Sequence, residues 1–155
     1  MWRRLKSNGA IYLQNSVAAL PDRPPHERLL RGLRAEINEL GGTAQLFRAA
    51  ALTGGGDVLT AYNAARDDEY DELLDKCQDF LAEIAHETAA GHTTFGELEE
   101  NDEDLTKLRR WLVKINERDV LAASRAAEAA AQIERCAAVL EEFAQRVYGA
   151  DPDAG

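Results

Sequence analysis

Residues 57–90 read DVLTAYNAARDDEYDELLDKCQDFLAEIAHETAA, and the spacing of their apolar members decides the fold. Leu59, Tyr70, Leu73, Cys77, Phe80 and Ile84 recur at the alternating three- and four-residue step of a helix that packs along its whole length. The same step lands on Asn63 and Arg66, which puts an amide and a guanidinium in the seam of the longest element. An unpaired polar group there costs about 1–3 kcal/mol when buried. The other flanks carry Asp67, Asp68, Glu69, Asp71, Glu72, Asp75, Asp79, Glu83 and Glu87, so one face packs and the rest is solvated acid.

Two more helices are expected after this one. Gly91 to Asn101 reads as a turn containing Phe95 and Leu98, and Asn101 suits an N-cap with Asp102, Glu103 and Asp104 in the first turn, at the positive end of the helix dipole. Leu105, Leu108, Leu112 and Ile115 form the inward stripe, while Arg109, Arg110, Lys114 and Arg118 load the C-terminal half with the sign the dipole favours there. After a break near Asp119–Ser124, a final helix runs to about Tyr148 on a stripe of Ile133, Ala137, Leu140, Ala144 and Val147, with Cys136 and Phe143 beside it. Helices joined by short turns fold back on one another, so residues 57–149 read as an antiparallel three-helix bundle and residues 150–155 as a tail.

Ahead of the long helix, residues 1–53 read as a small α/β lobe. Trp2 and Leu5 lie three apart in a turn of helix that stops at Asn8-Gly9, with no capping residue ahead of it. The expectation is of an element already under way, its beginning and a leading strand lying before residue 1. Ala10 to Leu20 alternates as strand, with a polar break at Gln14-Asn15-Ser16 that allows one bent strand or two short ones. Asp22 is positioned to cap a helix with prolines in its first turn, which runs to about Leu40 with Leu29, Leu30, Leu33, Ile37 and Leu40 inward. A second strand is expected over Thr43 to Ala50, and Gly54-Gly55-Gly56 is a joint. The fold class is therefore α+β and mostly helical: a ferredoxin-like half-lobe, then the bundle.

Composition narrows the function. The chain of 155 residues carries a net charge of −10, with no apolar run long enough for a membrane helix and no apolar segment after the basic N-terminus to serve as a signal peptide. Two cysteines on helical apolar faces, with no CxxC, read as reduced core thiols of a cytoplasmic protein. The charge is unevenly spread: residues 1–50 hold eight Lys and Arg against four Asp and Glu, a balance of +4, and residues 51–155 hold ten against twenty-four, a balance of −14. The helical part repels DNA, whereas the first third is suited to a local phosphate patch.

Motifs of catalysis and metal binding do not assemble. Glu83-x-x-His86 with Glu87 is half of a di-iron ligand set, but the second ExxH that such a site requires is missing, and His86 and His92 are too far apart for HExxH. Neither cysteine has a local partner, there is no GxSxG, and Gly54-Gly55-Gly56 leads into Asp57 where a phosphate loop would need GK[ST]. No cofactor and no enzymatic activity are expected. The basic set is the better candidate: Arg3, Arg4, Lys6, Arg23, Arg28, Arg31 and Arg34 lie in or beside the small lobe, and guanidinium forks suit phosphate and other tetrahedral oxyanions. The bland reading of the same residues is a solubilising helix face. Asn63, Arg66 and Tyr70 read either as an anion site on the seam or as register-fixing groups, with Arg66 pairing Glu69 or an acid of the Glu97–Asp104 run.

Several segments together carry a family resemblance. Trp2-Arg3-Arg4-Leu5-Lys6, Gly9-Ala10, Leu13-Gln14-Asn15-Ser16-Val17 and Leu20-Pro21-Asp22 resemble the opening of the N-terminal domain of ChrB-type chromate resistance proteins. So do Glu36-Ile37, Leu40-Gly41-Gly42, Asn63-Ala64-Ala65-Arg66-Asp67, Glu69-Tyr70, Thr94 to Asn101, Asp104-Leu105 and Leu108 to Leu112. The resemblance implies a cytoplasmic, chromate-responsive transcriptional repressor that binds promoter DNA, with chromate as effector. It also implies a leading strand and a C-terminal second domain that this chain does not contain, hence a possible homodimer or a separately encoded C-terminal partner domain. The competing reading is an acidic helical interaction or dimerisation module with no DNA role.

Overall fold

Five helices and one hairpin follow one another along residues 1–150, the residues that the computed structural model describes. In order they are α1 (Trp2–Ser7), β1 (Ile11–Gln14), β2 (Val17–Ala19), α2 (Pro24–Glu39), α3 (Gly55–Ala90), α4 (Phe95–Arg118) and α5 (Ala126–Ala150). The protein is mostly helical, with one small antiparallel sheet. No helix among the described residues is long and apolar enough to cross a membrane. The expected tail lies outside the described residues apart from Ala150, which closes α5. The chain divides into two units: Met1–Arg66 with Arg118–Leu121, and Asp67–Glu117 with Ala122 onward.

The first unit is built from short-range devices. α1 is too short to stand alone. Its end is tied by the amides of Gly9 and Ala10 to the carbonyls of Lys6 and Leu5, at 2.9 and 3.0 Å. Gly9 takes φ +87° there, a conformation that glycine enters at little cost. The Trp2 ring stacks on Tyr12 with centroids 3.7 Å apart, holding α1 to β1. The polar break resolves into a hairpin of two short strands, Ile11 opposite Ala19 and Gln14 opposite Val17, turning through Ser16 at φ +66°. α2 buries Leu33, with Leu29, Leu30 and Ile37 half-buried and Leu40 exposed.

Two expectations fail in this unit. The N-cap of α2 is Arg23, without a side-chain cap, because the Asp22 carboxylate is taken by Arg48 at 2.9 Å. The strand expected over Thr43–Ala50 is absent, and those residues form an extended arm instead. A strand needs a ladder partner, and the two strands that exist pair with each other. Side chains hold the arm along α2: Arg34 Nε donates to the Ala44 carbonyl at 3.1 Å, and Arg48 binds both Asp22 and Glu27 at 2.9 Å. Moving down α2 from Arg34 to Glu27 moves up the arm from Ala44 to Arg48, so the two run antiparallel. The ferredoxin-like strand, helix, strand order is thus a hairpin, a helix and an unpaired arm.

The second unit rests on apolar stripes from three helices. Tyr70, Leu73, Cys77, Phe80 and Ile84 of α3 meet Leu105, Leu108 and Ile115 of α4 and Ile133, Cys136, Leu140, Phe143 and Val147 of α5 in one buried cluster. Both cysteines are free and buried in it. α4 begins earlier than the acidic run suggests: Thr94 Oγ1 accepts the Glu97 amide at 3.3 Å, and the helix starts at Phe95. Asn101 is therefore no cap but an interior residue of α4, 5 % exposed.

Candidate functional site

The polar residues on the long helix separate at the boundary between the units. In the first unit Arg66 is only 2 % exposed, donates from Nη1 to the Gly9 carbonyl at 3.0 Å, and lies over the Tyr62 ring at 5.1 Å. Tyr62 in turn donates its hydroxyl to the Arg118 carbonyl, and Asn63 Nδ2 donates to the Leu121 carbonyl at 3.5 Å. These contacts fasten the Gly9 turn and residues 118–121 to the start of α3. A Cβ on Gly9 would come within 2.6 Å of Arg66 Nη1, so the guanidinium would have to shift. Asn63 Oδ1 is buried with no hydrogen-bond partner among the described residues. Arg66 itself is shielded by the turn it holds. The arrangement is a clamp.

Tyr70 belongs to the second unit. It is fully buried and donates its hydroxyl to Asn116 Oδ1 at 2.8 Å, which satisfies the one polar atom it brings into the core. Two further polar groups of this unit, Glu87 and Asn101, are both buried and joined at 2.7 Å from Nδ2 to Oε2. Asn101 Nδ2 also reaches the Glu97 carbonyl at 2.8 Å. Burial pushes the Glu87 carboxyl up from its ordinary pKa, the Asn101 donor pulls it back, and Glu97 and Glu83 push it further up. An open groove of about 560 Å³ on the second unit is lined by Glu72, Asp75, Lys76, Gln78, Asp79 and Trp111. Its one lysine is tied to Asp79 at 2.9 Å, so the groove is unsuited to anions.

The seven basic candidates of the first unit fall into two sets. Arg4 makes a forked bond to Glu36 at 2.6 and 2.7 Å, Arg31 binds Glu27 at 2.7 Å, and Arg34 is held on the Ala44 carbonyl. These three secure α1 and the arm to α2, or brace α2 itself. Arg3, Lys6, Arg23 and Arg28 are exposed and make no ion pair among the described residues. They are the cations left to meet a ligand. Two prolines open α2, which removes amide donors from its N-terminus, so an anion near Arg23 would depend on side chains. Sequence reasoning missed Arg48, which binds two carboxylates and adds to Arg31, the larger cause, in lowering the Glu27 pKa. It also missed Tyr62, whose hydroxyl finds its acceptor, the Arg118 carbonyl, 56 residues away.

A comparison with protein families finds one match, the family described as Protein ChrB, N-terminal, over residues 1–153. No curated protein and no solved structure matches the chain.

Proposed function

The chain belongs to the ChrB N-terminal family, and on that premise we propose that it is the N-terminal domain of a chromate-responsive regulator that contacts promoter DNA through its first unit. The observation that carries this reading is the free basic set, Arg3, Lys6, Arg23 and Arg28, in the only part of the sequence with a positive balance. The second unit is strongly acidic and repels phosphates, which leaves the hairpin and α2 of the first unit as the surface for DNA. Chromate is a tetrahedral dianion, and guanidinium forks that bind phosphate bind it by the same geometry. Effector and DNA then compete for the same arginines. The second unit is read as an antiparallel three-helix bundle that, like the first unit, performs no catalytic step.

The test is a fluorescence-anisotropy titration against the promoter of a neighbouring chromate transporter, at two salt concentrations, with chromate and with sulfate. Four phosphate contacts give a slope of about −3.6 in log K against log salt, a loss of roughly a hundredfold between 50 and 200 mM. The double variant Arg23→Ala/Arg28→Ala should lower that slope by about 2. Release by chromate and not by sulfate supports the reading. Absence of binding at both salts, or equal release by the two dianions, overturns it.

A further inference from the structure

Two carboxylates stand inside the basic surface of the first unit. Asp22 directly precedes Arg23, and Glu27 directly precedes Arg28. The Glu27 amide donates to the Arg23 carbonyl at 3.0 Å, which sets these two residues one helical turn apart. Side chains at that spacing meet, so an unoccupied Glu27 carboxylate would take the Arg23 guanidinium for itself. Arg23 makes no ion pair among the described residues, because Glu27 is held by two other cations. Arg31 reaches Oε1 from the same helix at 2.7 Å, and Arg48 reaches Oε2 from the arm at 2.9 Å. Arg48 also binds Asp22 through Nε at 2.9 Å. Arg31 first and Arg48 second draw the Glu27 carboxyl below its ordinary pKa, so at neutral pH the acid is charged and has to be answered.

We propose that Arg48 is a positioning residue of the phosphate-binding surface: by occupying Asp22 and Glu27 it leaves Arg23 and Arg28 free for the phosphates of DNA. The inference rests on the reading of the first unit as the DNA-contacting part and deepens it. Residues 40–56 carry a single charge, Arg48, and the fold sets that charge against the two acids that interrupt the basic run. A guanidinium suits the task where an ammonium would not, since its fork answers two carboxylates at once from Nε and Nη2. With Arg48 removed, Asp22 and the second oxygen of Glu27 stand bare beside Arg23. Each bare acid repels phosphate and competes for the cation next to it. Exposed ion pairs contribute little to stability, so the effect falls on binding and not on the fold.

Anisotropy titrations of the full chain with a labelled DNA duplex of random sequence, at about 50 and 200 mM salt, test it with three variants. Arg48→Ala should weaken binding about tenfold at the lower salt and reduce the salt slope by about 1, the loss of one phosphate contact, although Arg48 itself makes none. Asp22→Asn/Glu27→Gln breaks the same ion pairs and should bind at least as tightly as wild type. Arg48→Ala placed on that background should cost less than about twofold, because the acids it answers are gone. Helical circular dichroism should be the same in all three. Equal losses from Arg48→Ala in both backgrounds would make it a direct contact or a bulk charge and overturn the positioning role. Weaker binding by Asp22→Asn/Glu27→Gln would mean that DNA needs the anchored arm itself, and overturns it too. A chain that binds no duplex at either salt overturns this proposal together with the reading it rests on, a result distinct from the other two.

Discussion

The two units spend their apolar residues in opposite ways. Among the described residues, the second buries sixteen side chains in one cluster and leaves only Phe95, Val113 and Tyr148 exposed among its large hydrophobics, the first and last of these meeting edge to face at 5.5 Å. The first buries Ala10, Ile11, Leu33 and Tyr62, and exposes Tyr12, Leu13, Val17, Leu40, Phe47 and Leu52. Burial of apolar area is the main stabilising contribution to folding. The second unit therefore holds most of the stability, and the first is maintained by a glycine turn, a buried guanidinium and surface ion pairs. Charge follows the same division, with acid covering the self-sufficient unit and free cations on the open one.

Deleting a core side chain should show the largest effect. Phe143→Ala, at a position 1 % exposed, should cost about 3–5 kcal/mol in urea unfolding. Leu40→Ala, at 84 % exposure in the first unit, should stay within about 0.5 kcal/mol. Comparable losses at both sites would erase the contrast.

The clamp comes next. Gly9→Ala forces a left-handed φ on a residue with a Cβ and drives that atom toward Arg66, a strain of about 1–3 kcal/mol. Because the strain is local, hydrogen exchange should speed up in the hairpin while amides of α5 keep their protection. Uniform acceleration across both units would mean that the turn is as global as the core.

The smallest effect is a pH dependence confined to the second unit. Glu87 titrates above the ordinary carboxylate range in the folded chain, mainly because it is buried. Its neutral form therefore contributes stability that is complete below the unfolded pKa and is lost as pH rises through the folded one. Glu87→Gln keeps an acceptor for Asn101 without the charge. The variant should gain on the order of 1 kcal/mol over wild type in mildly alkaline buffer and nothing below the carboxylate range. Parallel stability curves at all pH values would refute the assignment.

Legibility in the sequence tracked the same division. The stripes of α3, α4 and α5 were readable because a helix that packs along one face repeats every three or four residues, and Leu73, Cys77, Ile84, Leu105, Ile115, Ile133, Leu140 and Val147 all lie in the core as that period requires, whereas Leu59, expected on the same stripe, is exposed near the start of α3. The arm was misread because Leu46 and Phe47 give the local pattern of a strand, and local pattern carries no information about whether a ladder partner exists. Asn101 was misplaced because an Asn followed by three acids is a good start signal even in the middle of a helix. The free and the bound arginines could not be told apart, since Arg4 meets Glu36 across 32 residues and Arg48 meets Asp22 across a whole helix. The family resemblance rested on several short segments together, and the match over residues 1–153 agrees with it.

Asp67 ties the start of α5 to α3. Its carboxylate accepts the Ser124 hydroxyl and the Arg125 amide, each at 2.8 Å, just ahead of the first residue of α5. Arg125 is further held by Asp71 at 2.6 Å, one turn along α3. The start of α5 is thus stapled by a helix almost sixty residues upstream, and within its own first turn Glu128 adds an ion pair to Arg125. Nucleating a helix is the costly step, and elongation is cheap once a turn is fixed. The first turn of α5 is therefore fixed jointly by α3 and by its own Arg125–Glu128 pair, so the costly step of starting this helix is shared with the longest one.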